Sequence, residues 1–154
     1  MVETVAIVIA FALVGVLLLV GIGWVSSRVV MANHGRKGRA MLPPLGPHDY
    51  EETAAGLTAP YRAYGLLRLT PNDLHFASGS PEGVLSVPRG RIVRAFASDD
   101  VPTGAGMQTM RRPALVLQLR DPALPQGVAF VVSDPDSWQE RLRKRRRNEG
   151  PRQR

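Results

Sequence analysis

Residues Val5 to Val25 form a run of 21 without a single charged side chain: Val-Ala-Ile-Val-Ile-Ala-Phe-Ala-Leu-Val-Gly-Val-Leu-Leu-Leu-Val-Gly-Ile-Gly-Trp-Val. As a helix rising about 1.5 Å per residue, such a run covers roughly 30 Å, the thickness of a bilayer core. Trp24 stands at its end, where an indole prefers the headgroup region. A secretory signal peptide would need a basic leader and a shorter apolar stretch ending in small residues. Here Glu3 is the one charged side chain before the run. A retained membrane anchor over 5–25 is therefore expected. Arg28, Arg36, Lys37 and Arg39 follow the run and no Lys or Arg precedes it. The positive-inside rule then places the N-terminus outside and everything after the run in the cytoplasm, making this a single-pass cell-membrane protein. Ala6 and Ala10 make a small-xxx-small pair of the kind common in any membrane helix. Gly21-Ile22-Gly23 lies inside the apolar run with no strand before it, so it is no nucleotide loop.

The next stretch, 26–60, is rich in glycine and proline (Gly35, Gly38, Pro43, Pro44, Gly46, Pro47, Gly56) and has little periodicity. It reads as a flexible tether; from Arg28 to Thr58 it would reach about 30 Å root-mean-square. His48, Asp49, Glu51 and Glu52 within it have metal-ligand chemistry, but no second group with matching spacing, so a solvated linker accounts for them.

From Tyr61 the pattern turns to period two, the mark of half-buried strands. Leu67 and Leu69 share a face in Gly65–Thr70. Thr70-Pro71-Asn72-Asp73 has turn chemistry, and Leu74–Ala77 returns with Leu74 and Phe76. Val84–Val87, Arg91–Ala97 (Ile92, Phe96), Ala114–Arg120 (Leu115, Leu117, Leu119) and Gly127–Ser133 (Val128, Phe130, Val132) complete six strands. Asp99–Arg112 reads as a long loop. At Ser133-Asp134-Pro135-Asp136 the pattern changes again: Asp134 suits an N-cap, Pro135 the first helical position, and Asp136 the positive end of the dipole. Trp138 and Leu142 mark one face of a helix that lids the sheet, and the basic run Arg143 to Arg147 closes it. Residues 148–154 read as a basic disordered tail.

Leu67-Arg68-Leu69-Thr70, Gly83-Val84-Leu85-Ser86-Val87-Pro88 with Ile92, and Ser133 to Leu142 resemble a bacterial pleckstrin-homology-like (PH-like) domain. The whole layout is similar to that of single-pass bacterial membrane proteins carrying such a domain. The resemblance covers 61–147. It implies a mainly-β fold, an antiparallel sheet or barrel of six to seven strands capped by a C-terminal helix. The seventh strand would fall in Thr58–Tyr64 or Val101–Arg112.

The chain has no cysteine, which excludes disulfides, thiolate metal sites and cysteine nucleophiles. Its three histidines are scattered, so a catalytic triad has no support. No metalloprotease, nucleophile-elbow or P-loop pattern occurs. Gly104-Ala105-Gly106 lacks the following Lys-Ser/Thr of a phosphate cradle, adjacent Asp99 and Asp100 would point to opposite faces of a strand, and His75 should face solvent. A non-enzymatic protein without a cofactor is expected. The formal charge of +7 sits at the margins: +6 over Trp138–Arg154, +4 over Ser26–Pro47, and −2 over His48–Ser137. A nucleic-acid reader would carry a basic, aromatic-rich sheet instead. The reading is an adaptor or scaffold displaying a cytoplasmic PH-like domain that binds a protein segment or an anionic lipid headgroup. Arg141, Arg143, Lys144, Arg145, Arg146 and Arg147 would touch the lipid; Arg28, Arg36, Lys37 and Arg39 form a juxtamembrane basic group. The alternative is an accessory subunit of a transport or envelope complex acting through the membrane helix.

Overall fold

The computed structural model of the chain describes residue 33 and residues 35–146, with side chains as far as Arg143. The run Val5–Val25, Arg28, and Arg147 with the tail 148–154 lie outside the described residues. Among the described residues no helix is long and apolar enough to cross a membrane.

Seven strands follow in chain order: β1 (Tyr50–Gly56), β2 (Tyr64–Leu69), β3 (Asp73–Ala77), β4 (Val84–Pro88), β5 (Ile92–Pro102), β6 (Met107–Leu119) and β7 (Val128–Val131), before a C-terminal helix, Pro135–Arg146. They make one antiparallel sheet in the order β4-β3-β2-β1-β7-β6-β5. The sheet curls on itself, so that Leu67, Leu74, Phe76, Leu85 and Val87 from one half enclose the main core with Ile92, Leu115, Leu117, Leu119, Val128 and Phe130 from the other; Val101, Ala114, Val116 and Ala129 form a second, smaller cluster. Phe76 and Phe130 meet across the main core, ring centroids 5.0 Å apart. Period-two alternation is what allows this: each strand has one apolar face, and curling turns all those faces inward. The expected inward faces of β3 (Leu74, Phe76), β6 (Leu115, Leu117, Leu119) and β7 (Val128, Phe130) hold, while Ala114, Val116 and Ala129 on the opposite faces of β6 and β7 are buried as well.

Trp138 and Leu142 of the helix join the same core, with Trp138 wholly buried. The helix lies over β5 and β6. Its start is as the sequence implies: Asp134 Oδ1 accepts from Ser137 N at 3.0 Å, and Pro135 opens the helix.

Three expectations need correction. The stretch 26–60 is not simply a flexible tether, because residues 35–41 are helical and 50–56 are β1. The folded body therefore begins by residue 35, not Tyr61, and the seventh strand is Tyr50–Gly56. Its inward positions, Tyr50, Glu52, Ala54 and Gly56, do not alternate in hydropathy. Gly56 must be small because a Cβ there would stand 2.0 Å from the Tyr61 carbonyl oxygen. The second correction is the loop Asp99–Arg112, which is mostly strand. β5 and β6 extend as a long hairpin turning at Thr103–Gly106, where Thr103 N donates to the Gly106 carbonyl. The register jumps between Ser98 and Asp100, opposite Pro113, which lacks the N–H a regular ladder needs.

The third correction concerns Glu51 and Glu52, which are structural, not solvated. Glu51 is the partner of Arg68 on the outer face of the sheet, Nε at 2.9 Å and Nη2 at 2.5 Å from Oε2. Arg68 is 1% exposed and also donates to the Pro43 carbonyl, while Arg39 reaches Glu51 from outside. Glu52 points the other way and accepts from Trp138 Nε1 at 2.8 Å and from Ser133 N at 2.5 Å. Among the described residues no three His, Asp or Glu side chains are placed to hold a metal ion.

Candidate binding surface at the arginine-rich end

The start of β1 (Tyr50), the β2–β3 turn at Asn72 and the end of β4 at Pro88 lie at one end of their strands, whereas β6 ends and β7 starts beyond Gly56. The short β4–β5 connection Arg89–Arg91 crosses between the two halves of the curled sheet. The C-terminal helix runs toward the end at Tyr50 and Pro88. Ser133 is bonded near Glu52, Trp138 packs edge-on against Tyr50 at 4.9 Å, and the Arg141 guanidinium lies 3.9 Å from the Tyr50 ring centroid. A stacked guanidinium gains cation–π attraction while its N–H groups still face solvent.

Arg89 ties the β4–β5 turn to the C-terminal half of the helix. Its Nη2 donates to the carbonyls of Arg141 (3.1 Å) and Leu142 (2.8 Å). The negative end of the helix dipole favours this cation. Arg89 N in turn donates to the Asn72 carbonyl, and Arg120 N to the Arg91 carbonyl. Arg89, Arg91 and Arg120, remote in sequence from the helix, are thereby gathered beside Arg141 and Arg143. Arg91, Arg120, Arg141 and Arg143 are exposed. Lys144, Arg145 and Arg146 lie on the last turns of the same helix. Acidic groups nearby are Asp73, opposite Pro88 in the sheet, Glu140, one residue before Arg141, and Asp121, whose Oδ1 accepts from Ala123 N.

The juxtamembrane basic residues go elsewhere. Arg36 and Lys37 are exposed on the helical residues 35–41, with Lys37 Cβ against Gly79, and Arg39 is paired with Glu51. His75, expected to face solvent, is half-buried opposite Arg68. Arg89, Arg91 and Arg120 were not singled out by sequence; each sits in a turn, and what joins them is the short β4–β5 connection and the bond from Arg120 N to the Arg91 carbonyl. A cluster of several arginines, presenting planar forked donors on a rigid scaffold, can hold carboxylate or phosphate groups bidentately.

No family model matches the chain, and no curated protein matches it. Seven antiparallel strands in a curled sheet with a C-terminal helix fit a PH-like fold. Among solved structures, the N-terminal PH domain of Vps36 is similar, with a TM-score of 0.47 and 14% identity over 69% of this chain and 85% of that one.

Proposed function

We propose that this protein is a membrane-anchored, non-enzymatic adaptor: Val5–Val25 crosses the cell membrane once, and the sheet domain with its helix stands in the cytoplasm as a PH-like binding module. The observation that carries the reading is the gathering of Arg89, Arg91, Arg120, Arg141 and Arg143 from three separate segments, on a body whose stretch His48–Ser137 carries −2 in all. Charge so concentrated gives a recognition surface for an anionic ligand and steers its approach.

Two measurements on the full chain test this. A reporter fused after Arg154 should work only where a cytoplasmic reporter works, and the protein should stay with membranes through an alkaline wash; release into the wash would remove the anchor. In detergent, the full chain should bind heparin, used as a generic polyanion. Changing Arg141, Arg143 and Arg145 together to Gln should lower the eluting salt concentration clearly; an unchanged elution would dismiss the arginine cluster as the binding surface.

A further inference from the structure

Between the helical residues 35–41 and β1 the chain passes over Arg68 on the outer face of the sheet as a proline-rich strap, Met41-Leu42-Pro43-Pro44-Leu45-Gly46-Pro47. Residues 43–46 belong to no helix, strand or turn, yet they are pinned at both ends. Buried Arg68 donates to the Pro43 carbonyl. Gly46 N donates to Asp49 Oδ2 at 2.8 Å, and the Gly46 carbonyl accepts from Asp49 N at 3.2 Å. The side chains between and beside these pins stay in water. Pro43, Pro44 and Leu45 are exposed, Leu45 at 56%, and so are Met41 before them and Pro47 after. The fold thus fixes the backbone of an apolar strip without covering it.

The prolines settle the shape of that backbone. A pyrrolidine ring locks its own φ near −65°, and a residue followed by proline is driven to the extended ψ of polyproline II. Leu42, Pro43 and Gly46 each precede a proline, and Pro43, Pro44 and Pro47 are prolines. Leu45 is the single residue from 42 to 47 under neither constraint, and the pins on Pro43 and Gly46 flank it. Polyproline II makes no internal hydrogen bonds, has three residues per turn and rises about 3.1 Å per residue. Pro44 and Pro47 are one turn apart and share an edge, separated by about 9 Å. That edge presents two Xaa-Pro steps, Pro43-Pro44 and Gly46-Pro47.

We infer that the strap is a preformed polyproline II ligand, and that its partner is a protein domain with an aromatic-lined groove that takes the two Xaa-Pro steps in successive pockets. Rigid, flat pyrrolidine rings pack on Tyr and Trp rings, and a segment already extended loses little freedom on binding. Charge sets the direction. Arg36, Lys37 and Arg39 precede the strip, Arg39 being 65% exposed, whereas 40–61 holds no Lys or Arg and carries Asp49, Glu51 and Glu52. The partner's groove therefore has its carboxylates at the end that receives Met41. This surface takes an apolar partner and does not rest on the anionic-ligand reading of the arginines.

The probes are immobilised SH3 and WW domains, whose grooves are aromatic-lined, presented to the full chain in nonionic detergent. At least one should bind, and Pro44→Ala with Pro47→Ala should weaken that binding by about tenfold or more, because both anchors are lost. The wild type and this variant should melt within a few degrees of each other, which separates lost contact from lost fold. Leu45→Asp alters one exposed side chain and should weaken binding as well by placing a charge in the apolar groove. Asp49→Ala frees Gly46 N, and the free peptide Met41–His48 lacks both pins; each should bind several-fold more weakly than the full chain. Equal affinity for that peptide and the full chain would show that the strap is not preformed. Arg39→Ala should weaken capture at low salt, and no effect there would overturn the assigned direction. The variant with Arg141, Arg143 and Arg145 changed to Gln should bind as the wild type does; a matching loss would move the contact to the arginines. Failure of every probe to bind, or binding unchanged in the double proline variant, overturns the inference.

Discussion

Replacing Glu51 with alanine removes one partner of a buried ion pair and strands the other. The Arg68 side chain is 1% exposed and that of Glu51 8%. In Glu51→Ala the guanidinium keeps the Pro43 carbonyl but loses both charge-assisted bonds to Oε2. A buried charge left without its counter-ion costs about 3–5 kcal/mol, a large share of the 5–15 kcal/mol that a domain holds in reserve. At roughly 4 °C per kcal/mol for a body of this size, the melting temperature should fall by about 12–20 °C. The double change Arg68→Met with Glu51→Leu removes both charges and fills the space with apolar atoms, so it should melt within a few degrees of the wild type. Arg39, 65% exposed on the outer side of the same carboxylate, contributes little: Arg39→Ala should cost about 1 kcal/mol or less. The assay is thermal and urea unfolding of the full chain in nonionic detergent with Trp24 changed to Phe in every variant, followed by the emission of Trp138, which is wholly buried in the folded state. A Glu51→Ala protein melting within about 2 °C of the wild type would refute the argument, because it would mean that Arg68 is solvated and the strap does not seal it.

Leu117 is fully buried between the two halves of the sheet, and Leu117→Ala should destabilise by about 2–5 kcal/mol in the same urea titration. Thr58 Oγ1 donates to the Pro102 carbonyl at 2.6 Å and accepts from Ala129 N at 3.0 Å. Thr58→Val keeps the shape but leaves both buried groups unpaired, so it should cost roughly 2–4 kcal/mol and raise the hydrogen-exchange rate of the Ala129 amide. Trp138→Phe retains an aromatic ring against Tyr50 but withdraws the indole donor from Glu52. A loss of about 1–3 kcal/mol is expected, and an unchanged denaturation midpoint would show that Ser133 N alone satisfies that carboxylate.

Elements whose signal lies within a few neighbouring residues were legible in the sequence. Alternation of Leu74 and Phe76, of Leu115, Leu117 and Leu119, and of Val128, Phe130 and Val132 announces strands because a strand's side chains take opposite faces in turn. Asp134-Pro135 announces the helix because capping is settled within one turn. The apolar run and its one-sided basic flank depend on composition alone, as does the concentration of charge at Trp138–Arg154.

Tertiary structure decided what depends on residues distant in the chain. β1 is invisible in sequence because its inward positions are set by neighbours: Glu52 faces in only because Trp138 offers an indole N–H, and Gly56 is small only because Tyr61 crosses it. Arg68 reads as the exposed side of an amphipathic strand until a strap 25 residues away covers it with Pro43. The arginine cluster is likewise a product of tertiary contacts. Arg89, Arg91 and Arg120 are ordinary turn residues in the sequence, and they gather beside Arg141 only because Arg89 reaches the helix carbonyls and Arg120 N bonds the Arg91 carbonyl. Local chemistry dictated which segments would be strand, helix or apolar run; the curl of the sheet dictated which charges would stand together.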